Sequence, residues 1–231
     1  MPYIYGFDST YIMYVVIPLI FALWAQYNVK STFAKYSKVA SERNMTGVEA
    51  ARLILDSNGL QHVRIEKVSG SLTDHYDHAN NVIRLSASVY GENTVAAVGV
   101  AAHEAGHAVQ YAVGYAPIKI RSAIIPLTNI GSTLAWPMVL LGILLSAPVL
   151  AGIGVLLFGA AVLFQLVTLP VEFNASRRAL VALEESGMSD EAVKSAGKVL
   201  RAAALTYVAA LAAAIGNFLR LFAIANRSKR N

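Results

Sequence analysis

The chain has 231 residues, 56% of them hydrophobic and 14% charged, and a mean hydropathy of +0.51. These values exclude an ordinary soluble domain and require part of the chain to lie in lipid. The net charge of +5 does not point to nucleic acid, because the basic residues are dispersed or flank apolar runs, and the lack of cysteine leaves His, Asp and Glu as metal ligands.

Residues 11–27 are apolar throughout, and extension back through Phe7 reaches the roughly twenty residues that span a bilayer. Trp24 and the tyrosines near the ends suit the membrane interface. No basic residue precedes the run and no small-residue cleavage pattern follows it, so it reads as an anchor and not as a cleaved signal. Lys30, Lys35, Lys38 and Arg43 come next, whereas residues 1–9 contain no Lys or Arg, which places the following segment in the cytoplasm.

Thr46 and Glu49 form a capping-box pattern, and the amphipathic helix they open should stop at Asn58-Gly59. Residues 62–68 and 81–86 read as short strands, with the polar stretch 74–81 as a turn or loop. A small sheet then lies beside the next helix, where an edge strand can bind substrate main chain by strand addition.

That next helix, capped by Asn93 or Thr94 and ended by Gly114, carries His103-Glu104-Ala105-Gly106-His107. Residues four apart on a helix differ by only about 40° around the axis, so the two imidazoles can converge on one zinc ion. Glu104 beside them can reach a water on the metal as general base. Chance supplies this pattern in about four in a thousand chains of such composition. The bland alternative is a buried helix with two satisfied histidines. Between residues 94 and 118 the only strongly polar side chains are His103, Glu104, His107 and Gln110. That length could itself cross a membrane and make a site-2-type intramembrane protease. Such enzymes take a third ligand from an Asp in an Asn-Pro...Asp-Gly context, which is not found here. A helix buried in a small cytosolic domain fits better. Tyr111, one turn beyond His107, faces either the site or the core.

Lys119 and Arg121 close this domain, and the uncharged runs 122–146 and 148–169 form a transmembrane hairpin. Gly131, Gly142, Gly152, Gly154 and Gly159 can permit close helix packing. The joining loop lacks Lys and Arg and belongs outside. Pro170 then opens a helix running through Glu185 to Gly187, and Ser189 caps the next, which ends in a fourth apolar run, residues 202–219. Arg220, Arg227, Lys229 and Arg230 follow. If this run spans, the basic tail lies outside, against the charge rule, although Arg177, Arg178, Lys194, Lys198 and Arg201 on the other side outnumber it.

A catalytic zinc takes three protein ligands and keeps one position for water. Glu172 is the expected third ligand, because it begins a polar cluster where the hairpin returns to the cytoplasmic face. Its alternative role, a carboxylate favoured by a helix dipole, is worth only about 0.3–1 kcal/mol. Asn174 and Ser176 can orient the ligands or form a polar face. His75, Tyr76 and Arg177 are the candidate oxyanion or substrate contacts. The cluster at residues 74–78 reads as solvated or substrate-adjacent in preference to a second metal site.

The segments KSTFAKYSKV, LTDHYD, AAHEAGHAVQ, YAPIKIRSAIIP and FQLVTLPVEFNASRRAL resemble the YugP-type family of bacterial membrane zinc metallopeptidases, over nearly the whole chain. The resemblance implies a zinc-dependent membrane peptidase with His103, His107 and Glu172 as ligands and Glu104 as catalytic base. A more distant likeness is to HtpX-type membrane proteases, which place a transmembrane hairpin between the motif helix and the glutamate helix. There an Asp four residues after the ligand Glu supports a zinc histidine; this chain has Ser176 at that place.

These readings give a mainly α membrane protein with a small α+β zincin-like (gluzincin) catalytic domain and about four transmembrane helices. Residues 1–28 are an anchor, 29–121 the cytosolic zincin-like domain, 122–169 the hairpin, 170–201 the glutamate-bearing helices, and 202–231 the last span with its basic tail. The expected function is zinc-dependent endopeptidase, in a bacterial cytoplasmic membrane with the site on the cytoplasmic side. Its expected partners are the bilayer and a polypeptide substrate such as a membrane or misfolded protein, with an oligomer left open and no nucleic acid. The alternatives are a non-catalytic metal-binding scaffold or degenerate peptidase and, second, the intramembrane protease. A transporter is disfavoured because the apolar runs offer few polar side chains to line a pathway.

Overall fold

A computed structural model describes residues 9–228; Phe7, Lys229 and Arg230, and the side chain of Arg227, lie outside the described residues. In chain order the elements are α1 (Ser9–Tyr11), a π turn (Ile12–Val16), α2 (Ile17–Tyr36), a 3-10 turn (Glu42–Asn44), α3 (Gly47–Ser57), β1 (Arg64–Val68), β2 (His75–Asp77), β3 (Val82–Ser86), α4 (Ala87–Tyr90), α5 (Val95–Ala112), α6 (Ala116–Leu144), α7 (Pro148–Glu185) and α8 (Asp190–Ser228). The chain divides into two compact units. The first comprises Met1–Gln26, Ile120–Leu169 and Thr206–Asn231, the second Tyr27–Lys119 and Pro170–Leu205.

Among the described residues, four helical stretches are long and apolar enough to cross a membrane: Ser9–Tyr36, Ala116–Leu144, Pro148–Glu185 and Asp190–Asn226. In the first unit Leu140, Val149, Leu156 and Leu163 are exposed, which suits a surface solvated by lipid tails. The α6–α7 pair packs through small residues. A Cβ on Gly131 would stand 2.6 Å from the Leu157 carbonyl oxygen, and one on Gly154 would stand 2.7 Å from that of Ala135, so the backbones approach as closely as glycine allows. Gly152 meets nothing within 4 Å and Gly159 only the Phe218 ring, so these two play no such part.

The second unit is an α+β body. Thr46 and Glu49 form the reciprocal capping box at the start of α3: the Thr46 backbone N–H donates to Glu49 Oε2 at 2.8 Å. That bond holds the Glu49 carboxyl below its ordinary pKa. Gly59, at φ +72°, supplies the left-handed residue just past the helix. The buried face of α3, with Ala50, Ala51, Ile54 and Leu55, shares one core with β3 residues Ile83 and Leu85 and with α5 residues Val98, Ala101, Ala102 and Ala105. Turns are tied down by charge-assisted bonds: Glu42 Oε2 accepts from Ser189 N–H at 2.7 Å, and Arg43 donates to the Gly187 carbonyl at 3.1 Å, fastening the α7–α8 turn.

Two expectations need correcting. The stretch 74–81 is not all loop, because His75–Asp77 forms strand β2, antiparallel to β3, in a sheet of order β1-β3-β2 whose β1 and β3 are parallel. Its polar residues are consumed by local bonds. Asp74 accepts from the Ser86 N–H at 2.7 Å and the Ser86 hydroxyl at 3.1 Å, and Asp77 accepts from Arg84 at 2.6 Å and from Asn80. The Asn80 amide and then the Arg84 guanidinium hold the Asp77 carboxyl far below its ordinary range. Second, Pro170 does not open a helix; α7 runs unbroken through it. An internal proline forfeits one ladder bond. The helix continues because Val171, Ala175, Ala179 and Leu183, at four-residue spacing, are all fully buried and reward the helical repeat.

Changing Thr46 to Ala should lower stability by about 1 kcal/mol, read as a reduced melting temperature of detergent-purified protein, with zinc content unchanged.

Candidate metal centre

The centre is built where α5 meets α7 inside the second unit. Thr94 caps α5 by accepting from the Ala97 N–H at 3.3 Å, and nearly every small residue of the helix is buried. The crossing is set at Gly106: a Cβ there would lie 2.6 Å from the carbonyl oxygen of Ala175. Only a hydrogen fits, so the two backbones close to contact distance. His103 and His107, one turn apart, then face Glu172 and Ser176, also one turn apart.

His103 Nε2 lies 3.2 Å and His107 Nε2 lies 3.6 Å from the same oxygen, Glu172 Oε2. One ligand atom from each of the three residues falls within 4.8 Å of the others. Ligands about 2.0–2.2 Å from a zinc ion at tetrahedral angles stand about 3.3–3.5 Å apart, and the two distances to Glu172 Oε2 are close to that spacing. The donor chemistry fits as well, with two imidazoles and one carboxylate, as in His2Glu sites. Glu172 is only 2% exposed, and a carboxylate so placed needs cationic or metal partners.

The other ring nitrogens are held too. His103 Nδ1 lies 3.1 Å from Ser176 Oγ, and His107 Nδ1 lies 3.0 Å from Gln110 Oε1. Asn174 Oδ1 accepts from Gln110 Nε2 at 3.0 Å and from Arg178 Nε at 2.8 Å. Ser176 and Asn174 are therefore both in the shell around the cluster. Gln110 was visible in the sequence only as a polar residue in an apolar helix; the missed signal is its place three residues beyond His107.

Glu104 is buried, and its negative charge acts on His107. Burial alone would push the His107 imidazole down. The hydrogen bond and charge of Glu172, with the charge of Glu104, outweigh it, and the group titrates above its ordinary value. Protons therefore compete with a metal for this nitrogen.

Beyond the cluster, Tyr111 carries the stacked ring of His78, with centroids 4.6 Å apart, and the tilted ring of Tyr76 at 5.7 Å, which joins α5 to β2. The Tyr76 hydroxyl donates to Asn81 Oδ1 at 3.1 Å, and burial raises its pKa. His75 is exposed, its Nδ1 2.8 Å from the Thr73 carbonyl oxygen. Arg177 is exposed and, with Ile54, Asn58 and Glu185, lines a cavity of about 340 Å³ that includes no member of the cluster. Of the three expected oxyanion contacts, only Tyr76 packs toward the motif helix.

A paired-histidine helix facing a glutamate from a second helix, with four membrane-length helices among the described residues, points to a membrane zinc peptidase. The comparisons agree: a family model described as "Putative neutral zinc metallopeptidase" matches residues 11–226, and the chain belongs to this YugP-type family. The "Putative membrane protease YugP" of Bacillus subtilis is 46% identical over 215 residues, covering 93% of this chain and 96% of that protein. No solved structure matches.

Two outcomes follow from the geometry. Changing Gly106 to Ala forces α5 and α7 apart and should weaken zinc binding about tenfold or more, measured by chelator competition. Because a metal must displace the proton of His107, apparent zinc affinity should fall at least about tenfold per pH unit once the pH drops below the pKa of that imidazole; titrations between pH 8 and pH 5 would check it.

Proposed function

We propose that this protein is a membrane-embedded zinc endopeptidase with a gluzincin-type site. His103, His107 and Glu172 bind the metal, and Glu104 is the general base. The observation that carries the reading is the convergence of three ligand atoms within 4.8 Å of one another, supplied by two helices, beside a buried carboxylate that ligation does not use. A bound zinc supplies Lewis acidity that makes water acidic near neutral pH and polarises the scissile carbonyl.

The rest is the work of the protein's own groups. Glu104 takes a proton from the attacking water and returns it to the leaving amine. Strand β2 offers an edge beside α5 on which an extended peptide can add main-chain hydrogen bonds, a mode that reads little of the side chains. Tyr76, packed on Tyr111 of α5, is the favoured donor to the developing oxyanion once its hydroxyl turns from Asn81. Asn174 and Ser176 support the ligands.

The intramembrane alternative is disfavoured because α5 packs in a core shared with the amphipathic α3 and the sheet. A metal-binding scaffold would have no use for Glu104. The excess of Lys and Arg after the first span supports a site on the cytoplasmic side of a bacterial membrane. Membrane or misfolded proteins as substrates follow from the family likeness.

Changing Glu104 to Gln should leave close to one zinc per chain while cutting casein cleavage by about a thousandfold or more. Changing Glu172 to Ala should remove both metal and activity. Full activity in the first variant, or wild-type zinc affinity in the second, would refute the assignment.

A further inference from the structure

Gln110 has no place in the reaction described above, yet its side chain is completely buried and uses its amide in three directions. Nε2 donates to the Val171 carbonyl at 2.8 Å and to Asn174 Oδ1 at 3.0 Å, and Oε1 faces His107 Nδ1 at 3.0 Å. A backbone carbonyl has no proton to give, so the amide nitrogen must be the end that meets Val171. The amide oxygen is thereby forced toward His107. An oxygen that can only accept requires the proton of a neutral imidazole to sit on Nδ1, and the lone pair is left on Nε2, the atom that faces Glu172.

We infer that Gln110 is a positioning residue that fixes His107 as the Nδ1–H tautomer and so selects Nε2 as its metal-binding atom. His103 is held differently. Its Nδ1 meets the hydroxyl of Ser176, which can donate or accept and so does not itself select the tautomer. The two histidines of the motif are therefore not equivalent: one is set by a carboxamide locked on a main-chain carbonyl, the other by a rotatable hydroxyl. Gln110 also ties the tautomer to the neighbourhood of Glu172, because Val171 and Asn174 flank that ligand on α7.

The inference rests on the reading of the cluster as a zinc site. Its test compares full-length wild type, Gln110→Leu and Gln110→Glu in detergent, with zinc affinity read by chelator competition and the cobalt-substituted protein by its visible absorption. Leu removes the acceptor, and zinc affinity should drop about tenfold to a hundredfold with a changed cobalt spectrum. Glu keeps an acceptor for Nδ1–H but loses the amide donors to α7; zinc affinity should stay within about threefold of wild type while the metal-free melting temperature falls. A purely structural Gln110 would make the Glu variant bind zinc as poorly as the Leu variant, and equal affinities of the two variants overturn the proposal. If the Leu variant does not fold, nitrogen-15 shifts of zinc-loaded wild type decide: His107 protonated at Nδ1 and ligated through Nε2 supports the proposal, and ligation through Nδ1 overturns it. A wild type that binds no zinc overturns the metal-centre reading and this inference together.

Discussion

The contact on which the centre depends is that of Gly106 with the Ala175 carbonyl. Metal ligands on two helices must meet to within a few tenths of an ångström, and side-chain rotation cannot make up a backbone separation that is too large by a methyl group. Placing glycine between the two histidines brings α7 against α5 at the level where Glu172 and Ser176 can face them. Small residues on both helices, among them Ala101, Ala102 and Ala105 on α5 and Ala175 and Ala179 on α7, are all buried. What holds the site is thus dense backbone packing, with little contribution from large side chains.

Around this crossing the polar groups are few, and most are bonded to one another. Glu172 takes both imidazoles, Gln110 and Ser176 take the far ring nitrogens, and Asn174 joins Gln110 to Arg178. In a body this apolar each unmet donor would cost roughly 1–3 kcal/mol, so the network and the tight crossing stabilise each other. Ser176, which meets the far nitrogen of His103, is neutral and adds no negative charge. The cluster is left with two carboxylates, Glu104 and Glu172.

Much of this was legible in the sequence, and for local reasons. Thr46 with Glu49, Thr94 before an alanine-rich run, and His-Glu-x-x-His each act within four residues, so spacing alone exposes them. Glu172 could be singled out because a carboxylate at the end of a long apolar stretch is costly unless a cation or a metal meets it. Three features escaped. Strand β2 has three residues, too short to show a period, and its Asp and His content mimics a loop while the carboxylates bond the backbone and side chains of the neighbouring strand. Pro170 marks a helix start by local rules, whereas the buried series from Val171 to Leu183 carries α7 through it. Gln110 could be seen as odd but not placed, because its partners lie 61 and 64 residues away, on another helix.

The donor set has a chemical consequence of its own. Two imidazoles and a carboxylate, in a chain with no cysteine, offer a metal no soft thiolate ligand. Such a site has no thiolate to lose to peroxide, so the thiol oxidation that empties cysteine-bound zinc has no counterpart here. It also has little means of refusing the neighbours of zinc in the first transition row, since nitrogen and oxygen donors bind nickel and copper at least as readily. Selectivity for zinc must come from the fixed spacing of the two helices and from which ions the cell leaves free.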